Sequence, residues 1–142
     1  MHKLLVVAFF SFILTESYSQ SLEGDNWRYH FDGRQGYIGG DRIANKNNSP
    51  TGLLKLALYA TKYQYKGGEI EGYELIGKEF EPLGANEYFI NSIWEYGYID
   101  LPIYEGYFYL SILLLEYKSG GYVIKDWVSF KTPVDLGYIF IR

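Results

Sequence analysis

The chain has no cysteine. That excludes disulfide staples and thiolate metal sites, so stability has to come from a packed core. Histidine is nearly as scarce. His2 lies in the amino-terminal leader, which leaves His30 as the one histidine for the rest of the chain. A Ser-His-Asp triad would have to join it to Asp32 and a serine, yet no serine stands in a nucleophile-elbow sequence. Zinc would have to take carboxylates for nearly every ligand. Positive charge is not in excess: the formal net charge is −4 and the lysines are scattered. This speaks against nucleic acid as a partner. Beyond Leu14 no apolar run is long enough to cross about 30 Å of hydrocarbon, the best being Leu110 to Leu115.

What is present begins with a leader. His2 and Lys3 give a cationic start, Leu4 to Leu14 is an apolar run broken only by Ser11, and a polar stretch follows. This is the layout of a secretory signal peptide, with Ser17 and Ser19 as the small residues before a cleavage after Ser19. The expectation is a signal over residues 1–19 and one domain over residues 20–142, secreted or periplasmic, with no membrane span once the signal is removed. A cysteine-free exported chain fits a bacterial source better than a small disulfide-dense eukaryotic domain. The mature part can bury roughly two thirds of its unfolded surface, enough for a core of its own.

Six Gly-Tyr dipeptides punctuate the chain, at residues 36, 72, 97, 106, 121 and 137. Glycine accepts the positive φ of tight turns and tyrosine favours strands, so each pair reads as a turn handing over to a strand. The predicted strands are Trp27 to Phe31, Tyr37 to Asn45, Leu53 to Thr61, Tyr73 to Phe80, Glu87 to Ile99 (broken near Ser92), Phe108 to Tyr117 and Tyr122 to Phe130. In the third, Leu54, Leu56, Leu58 and Ala60 share one face while Lys55, Ala57 and Tyr59 take the other. Lys118 to Gly121 has the composition of a hairpin turn. No stretch carries a helix start, body and stop. The pattern predicts an all-β fold: a single immunoglobulin-like antiparallel β-sandwich of 7–8 strands.

The segments Arg42-Ile-Ala-Asn45, LLKLALYAT from Leu53, GYELIGKEFEPLG from Gly72, GYFYLSILLLEY from Gly106 and GYVIKDWVSF from Gly121 carry a resemblance in layout. The chain resembles the immunoglobulin-like accessory modules of bacterial secreted proteins, and is similar to the cell-adhesion-related domains found in bacteria. The resemblance spans about Tyr37 to Phe130 and implies no catalytic residue and no cofactor. It implies a module that spaces, adheres or binds through its loops.

The compositional excess is aromatic, with sixteen tyrosines, nine phenylalanines and three tryptophans. Flat rings suit a binding platform for a protein or a cell-surface glycan, and they also cover sheets. Candidate ligand-binding residues are Trp94, Tyr96, Tyr98, Tyr104 and Tyr107 around one loop, with Tyr63 and Tyr65 in another. Paired glutamates along Tyr73 to Glu81 read as a solvated face rather than a glycosidase dyad. Asp25, Asp32 and Asp41 read as turn residues, and no calcium-loop sequence accompanies them. The chain is therefore expected to be no enzyme, acting through protein or cell-envelope contacts. A carbohydrate-binding protein and a secreted enzyme inhibitor, using the loops Tyr63 to Gly72 and Asp100 to Gly106, are the alternatives. Asp126 falls on the apolar face of its strand. It is expected either to pair with a cation, Arg42 being the candidate, or to accept backbone N–H bonds at a bulge.

Overall fold

A computed structural model describes residues 20–90, 95–99 and 106–137. Within them the chain is almost all β, with eleven strands in three antiparallel sheets. The central sheet runs in the order β10-β9-β5-β6, formed by Gly121–Ser129, Tyr107–Lys118, Leu54–Thr61 and Tyr73–Phe80, and the short β11 (Val134–Asp135) pairs with the start of β9. Two three-stranded sheets accompany it. One orders β1 (Gln20–Glu23), β4 (Arg42–Asn45) and β7 (Tyr88–Ile90); the other orders β2 (Arg28–Asp32), β3 (Gln35–Gly39) and β8 (Glu95–Tyr98).

The expected count of 7–8 strands is exceeded for physical reasons. Tyr37 to Asn45 is divided at Gly40 and Asp41, where the chain bends and β3 and β4 join different ladders. The Trp27 indole fills the place where a Cβ at Gly40 would sit, 2.1 Å from the nearest ring atom. β1 and β11 are too short for alternation to be visible in the sequence.

The reading of the Gly-Tyr pairs also needs correction. Among the described residues only Gly106 of the six glycines has a positive φ, 99°. Gly36 and Gly97 lie opposite one another in mid-strand, and a Cβ on either would come within 2.2 and 2.8 Å of the Ile76 side chain. Their role is close approach, letting the β2-β3-β8 sheet press onto β6. The Lys118-to-Gly121 turn does form, on positive φ at Ser119 and Gly120, as a two-residue hairpin of this kind requires.

The alternation in β5 holds: Leu54, Leu56, Leu58 and Ala60 are buried with Leu110, Ile112 and Leu114 of β9, and Trp27, just before β2, closes over them with Ile38 and Ile43 of the smaller sheets. The opposite face of the central sheet is also covered. Ala57, Leu113 and Leu115 lie beneath Tyr65, with Tyr59, Ile70, Tyr122 and Ile124 around them. β10 serves both cores because the register shifts between Ile124 and Asp126. The bulge sends Tyr122 and Ile124 to the outer core and Val128 and Phe130 to the inner one, although unbroken alternation would place all four together.

Candidate functional site

The two ends of the central sheet differ. At the end where β5 begins and β9 stops, polar side chains are buried and tied down. Asn45 donates through Nδ2 to the carbonyls of Ser49 and Gly84 at 2.9 Å each, and its Oδ1 accepts from the Asn47 N–H. Thr51 Oγ1 accepts from the Leu83 N–H at 2.9 Å and donates to the Gly52 carbonyl. Glu116, only 2% exposed, accepts from Gln20 Nε2 at 3.0 Å and from the Gly52 N–H at 2.9 Å. Lys118 Nζ stands 3.2 Å from its other oxygen as an ion pair, without the alignment of a hydrogen bond. Burial pushes the Glu116 carboxyl upward, and the Gly52 N–H, Gln20 and Lys118 together outweigh it and hold the group below its ordinary range.

At the opposite end, where β5 stops and β6 and β9 begin, the surface opens. A groove of about 730 Å³ is lined by Lys62, Glu71, Tyr73, Tyr107 and Phe108, with Ile70 among its apolar walls. Tyr73 rests edge-on against Phe108 at 6.1 Å. Tyr73 and Tyr107 are exposed, the latter at 69%, and Tyr63 beside Lys62 is exposed at 75%. The Lys62 ammonium lies 5.7 Å from the Tyr63 ring centroid. Gly106 turns the chain into β9, and its carbonyl accepts the Leu136 N–H at 3.2 Å. β11 is thereby held beside Tyr107 and Phe108. The groove therefore joins exposed rings to a cation and a carboxylate on strand ends, an arrangement suited to holding a flat or extended ligand.

Among the expected ligand-binding residues, Tyr63 and Tyr107 belong to this end. Tyr98 is 67% exposed on β8, opposite Gln35, and does not line the groove. Tyr65 is corrected. It is 7% exposed, donates its hydroxyl to the Gly68 carbonyl and stacks edge-on against Trp127 at 5.4 Å. Its carbonyl also accepts from Ser129 Oγ at 2.6 Å. The loop that looks polar in sequence is thus pinned at Tyr65 on the outer face of the sheet. Trp94 and Tyr104 lie outside the described residues, as does most of the Asp100-to-Gly106 loop. Tyr96 is placed by its backbone opposite Tyr37 in β8. Tyr73, which sequence reading left out, had a usable signal: an aromatic directly after a glycine, at a strand start beside a charged loop.

The Asp126 expectation resolves toward the bulge. Its Oδ2 accepts the Leu22 N–H at 2.8 Å and its Oδ1 the Trp127 N–H at 2.9 Å. The pairing with Arg42 is not formed: Arg42 binds Glu23 at 2.6 Å, and Lys46 binds the other Glu23 oxygen at 2.9 Å. The physical reason is register. Glu23 lies directly across β1-β4 from Arg42, while Asp126 reaches the free edge of β1. His30 is exposed and packs its ring against Tyr37 across β2-β3, at 6.0 Å. Among the described residues no three of His, Cys, Asp and Glu converge as a metal site. No helix there is long and apolar enough to cross a membrane. No protein-family model matches the chain, and no curated protein matches it.

Proposed function

We propose that the chain is an exported, non-catalytic β-sandwich module that acts through protein or cell-envelope contacts, with the groove at the Tyr73-Tyr107 end as its contact surface. The carrying observation is that Tyr73 and Tyr107, both exposed, line one groove at the starts of β6 and β9, with the exposed Tyr63 in the loop that follows β5. Large exposed rings on a rigid frame bind at low entropic cost, since few rotamers are lost. The sandwich reading is supported by the way Ile38 and Ile43 of the smaller sheets, with Trp27 just before β2, meet the leucine face of the central one. An immunoglobulin-like arrangement remains the model that the strand layout resembles.

A second reading, carbohydrate binding, is favoured by one specific feature: Lys62 and Glu71 flank the rings. Sugars present flat apolar faces together with hydroxyls, and such a site serves both. One experiment tests the proposal and separates the readings. The purified chain is co-sedimented with cell envelopes that are untreated, protease-treated or periodate-treated. Binding lost on protease treatment identifies a protein partner, and binding lost on periodate treatment identifies a glycan. A chain that fails to sediment with untreated envelopes contradicts the envelope proposal.

A further inference from the structure

Gln20 opens β1 opposite Asn45. Asn45 sends its N–H across to the Glu87 carbonyl, on the β7 side of its strand. N–H and C=O of one strand residue point the same way, so Gln20 and Asn45 form a non-hydrogen-bonded pair, and the Gln20 nitrogen faces away from β4. Leu22, two residues on, shares that direction, and its N–H meets the Asp126 carboxylate of β10. The Gln20 side chain is buried at 4% exposure and reaches Glu116 through Nε2. One acceptor at this contact stays unserved, Gln20 Oε1, while Glu116 Oε1 has no hydrogen bond and faces only the Lys118 ammonium at 3.2 Å. Buried polar atoms are nearly always partnered, so the contact is short of a donor.

We propose that Gln20 is the first residue of the exported chain, and that its α-ammonium, freed by cleavage after Ser19, supplies that donor beside Glu116. The proposal rests on the signal-peptide reading. Cleavage turns one amide N–H into three ammonium donors and adds a positive charge near a buried carboxylate. The peptide nitrogen it replaces can offer neither. Maturation then tightens the fold by seating a new chain end against β9.

The test uses three chains: one starting at Gln20, one retaining Ser19, and one starting at Gln20 with its α-amine acetylated. The first is expected to melt higher than the other two by about 3 °C or more, the shift that roughly one interaction gives a domain of this size. In Glu116→Gln chains the gap is expected to vanish. Equal melting of all three overturns the seat for the ammonium, as does a gap that survives Glu116→Gln. Where Glu116→Gln does not fold, the acetylation comparison decides alone. Mass and amino-terminal sequence of the exported protein test the other half. A start at Gln20 with intact mass supports it, while a different start overturns the processing step and the signal reading together. A mass lower by one ammonia overturns the cation, because the α-amine has then closed on Cδ and expelled the amide nitrogen.

Discussion

The closed and open ends of the central sheet are built from the same four strands, yet they spend polar groups in opposite ways. At the closed end Asn45, Thr51 and Glu116 are turned inward and each satisfies backbone groups that loops would otherwise leave unpaired. At the open end Lys62, Glu71 and the rings of Tyr73 and Tyr107 are turned outward around a groove. Burying a polar group without a partner costs about 1–3 kcal/mol, so the closed end is specified by stability. At the open end Tyr73 and Tyr107 stay exposed, Tyr73 with one edge on Phe108. The difference separates residues kept for folding from residues available for contact.

The comparison breaks most visibly at Glu116. Glu116→Ala strands the Gly52 N–H and the Gln20 amide, and chemical denaturation should show a loss of about 2–4 kcal/mol. The same group gives a pH signature. Its folded-state pKa is depressed, so its contribution is present above the ordinary carboxyl value of 4.5 and is lost as pH falls through the lower folded value. Stability of the Glu116→Gln chain should vary less than wild type across that acid window.

Asp126→Ala should cost about 1–3 kcal/mol, because the Leu22 N–H loses its acceptor. Arg42→Ala, which breaks a partly exposed pair with Glu23, should cost under about 1 kcal/mol. The two losses should add in the double variant, since the residues share no partner; a coupling above about 0.5 kcal/mol would restore the Asp126-Arg42 pair.

A smaller effect belongs to the outer face at the closed end, where Tyr122 lies opposite Tyr117 and Glu79 opposite Lys55. Tyr122 donates to Glu79 at 2.6 Å, and this bond, with some desolvation, pushes its phenol up to about 12. Its raised folded pKa makes a contribution that is complete below the ordinary value of 10 and lost as pH rises toward 12. Ultraviolet titration of tyrosinate should place Tyr122 with the late-ionising tyrosines, alongside Tyr29, Tyr59 and Tyr65, whose phenols burial raises, and Glu79→Gln should make Tyr122 alone ionise earlier.

Much of this was legible in the sequence. Tyr73 to Phe80 and the Leu54-to-Ala60 alternation follow from period-two patterning with turn residues at the edges. The outer core was not legible, because it depends on a loop folding back so that Tyr65 covers Ala57 and Leu113. Nor was the face change within β10, where one extra residue at the bulge reverses the alternation. Asp126 showed that something unusual happens in that strand, while its partner, a backbone N–H of a strand more than a hundred positions away, leaves no trace in composition. At the candidate site, aromatic excess named Tyr63 and Tyr107 but could not separate them from Tyr65, since burial of a tyrosine is decided by tertiary contacts.

The central claim is that the open end is the contact surface, and envelope co-sedimentation of the Tyr73→Ala/Tyr107→Ala double variant beside wild type tests it most directly. Both side chains are exposed, so denaturation should find the variant folded and within about 1 kcal/mol of wild type. Truncating two exposed anchor rings should weaken envelope binding at least about tenfold, the equivalent of 1.4 kcal/mol. A folded double variant that sediments as well as wild type would contradict the account.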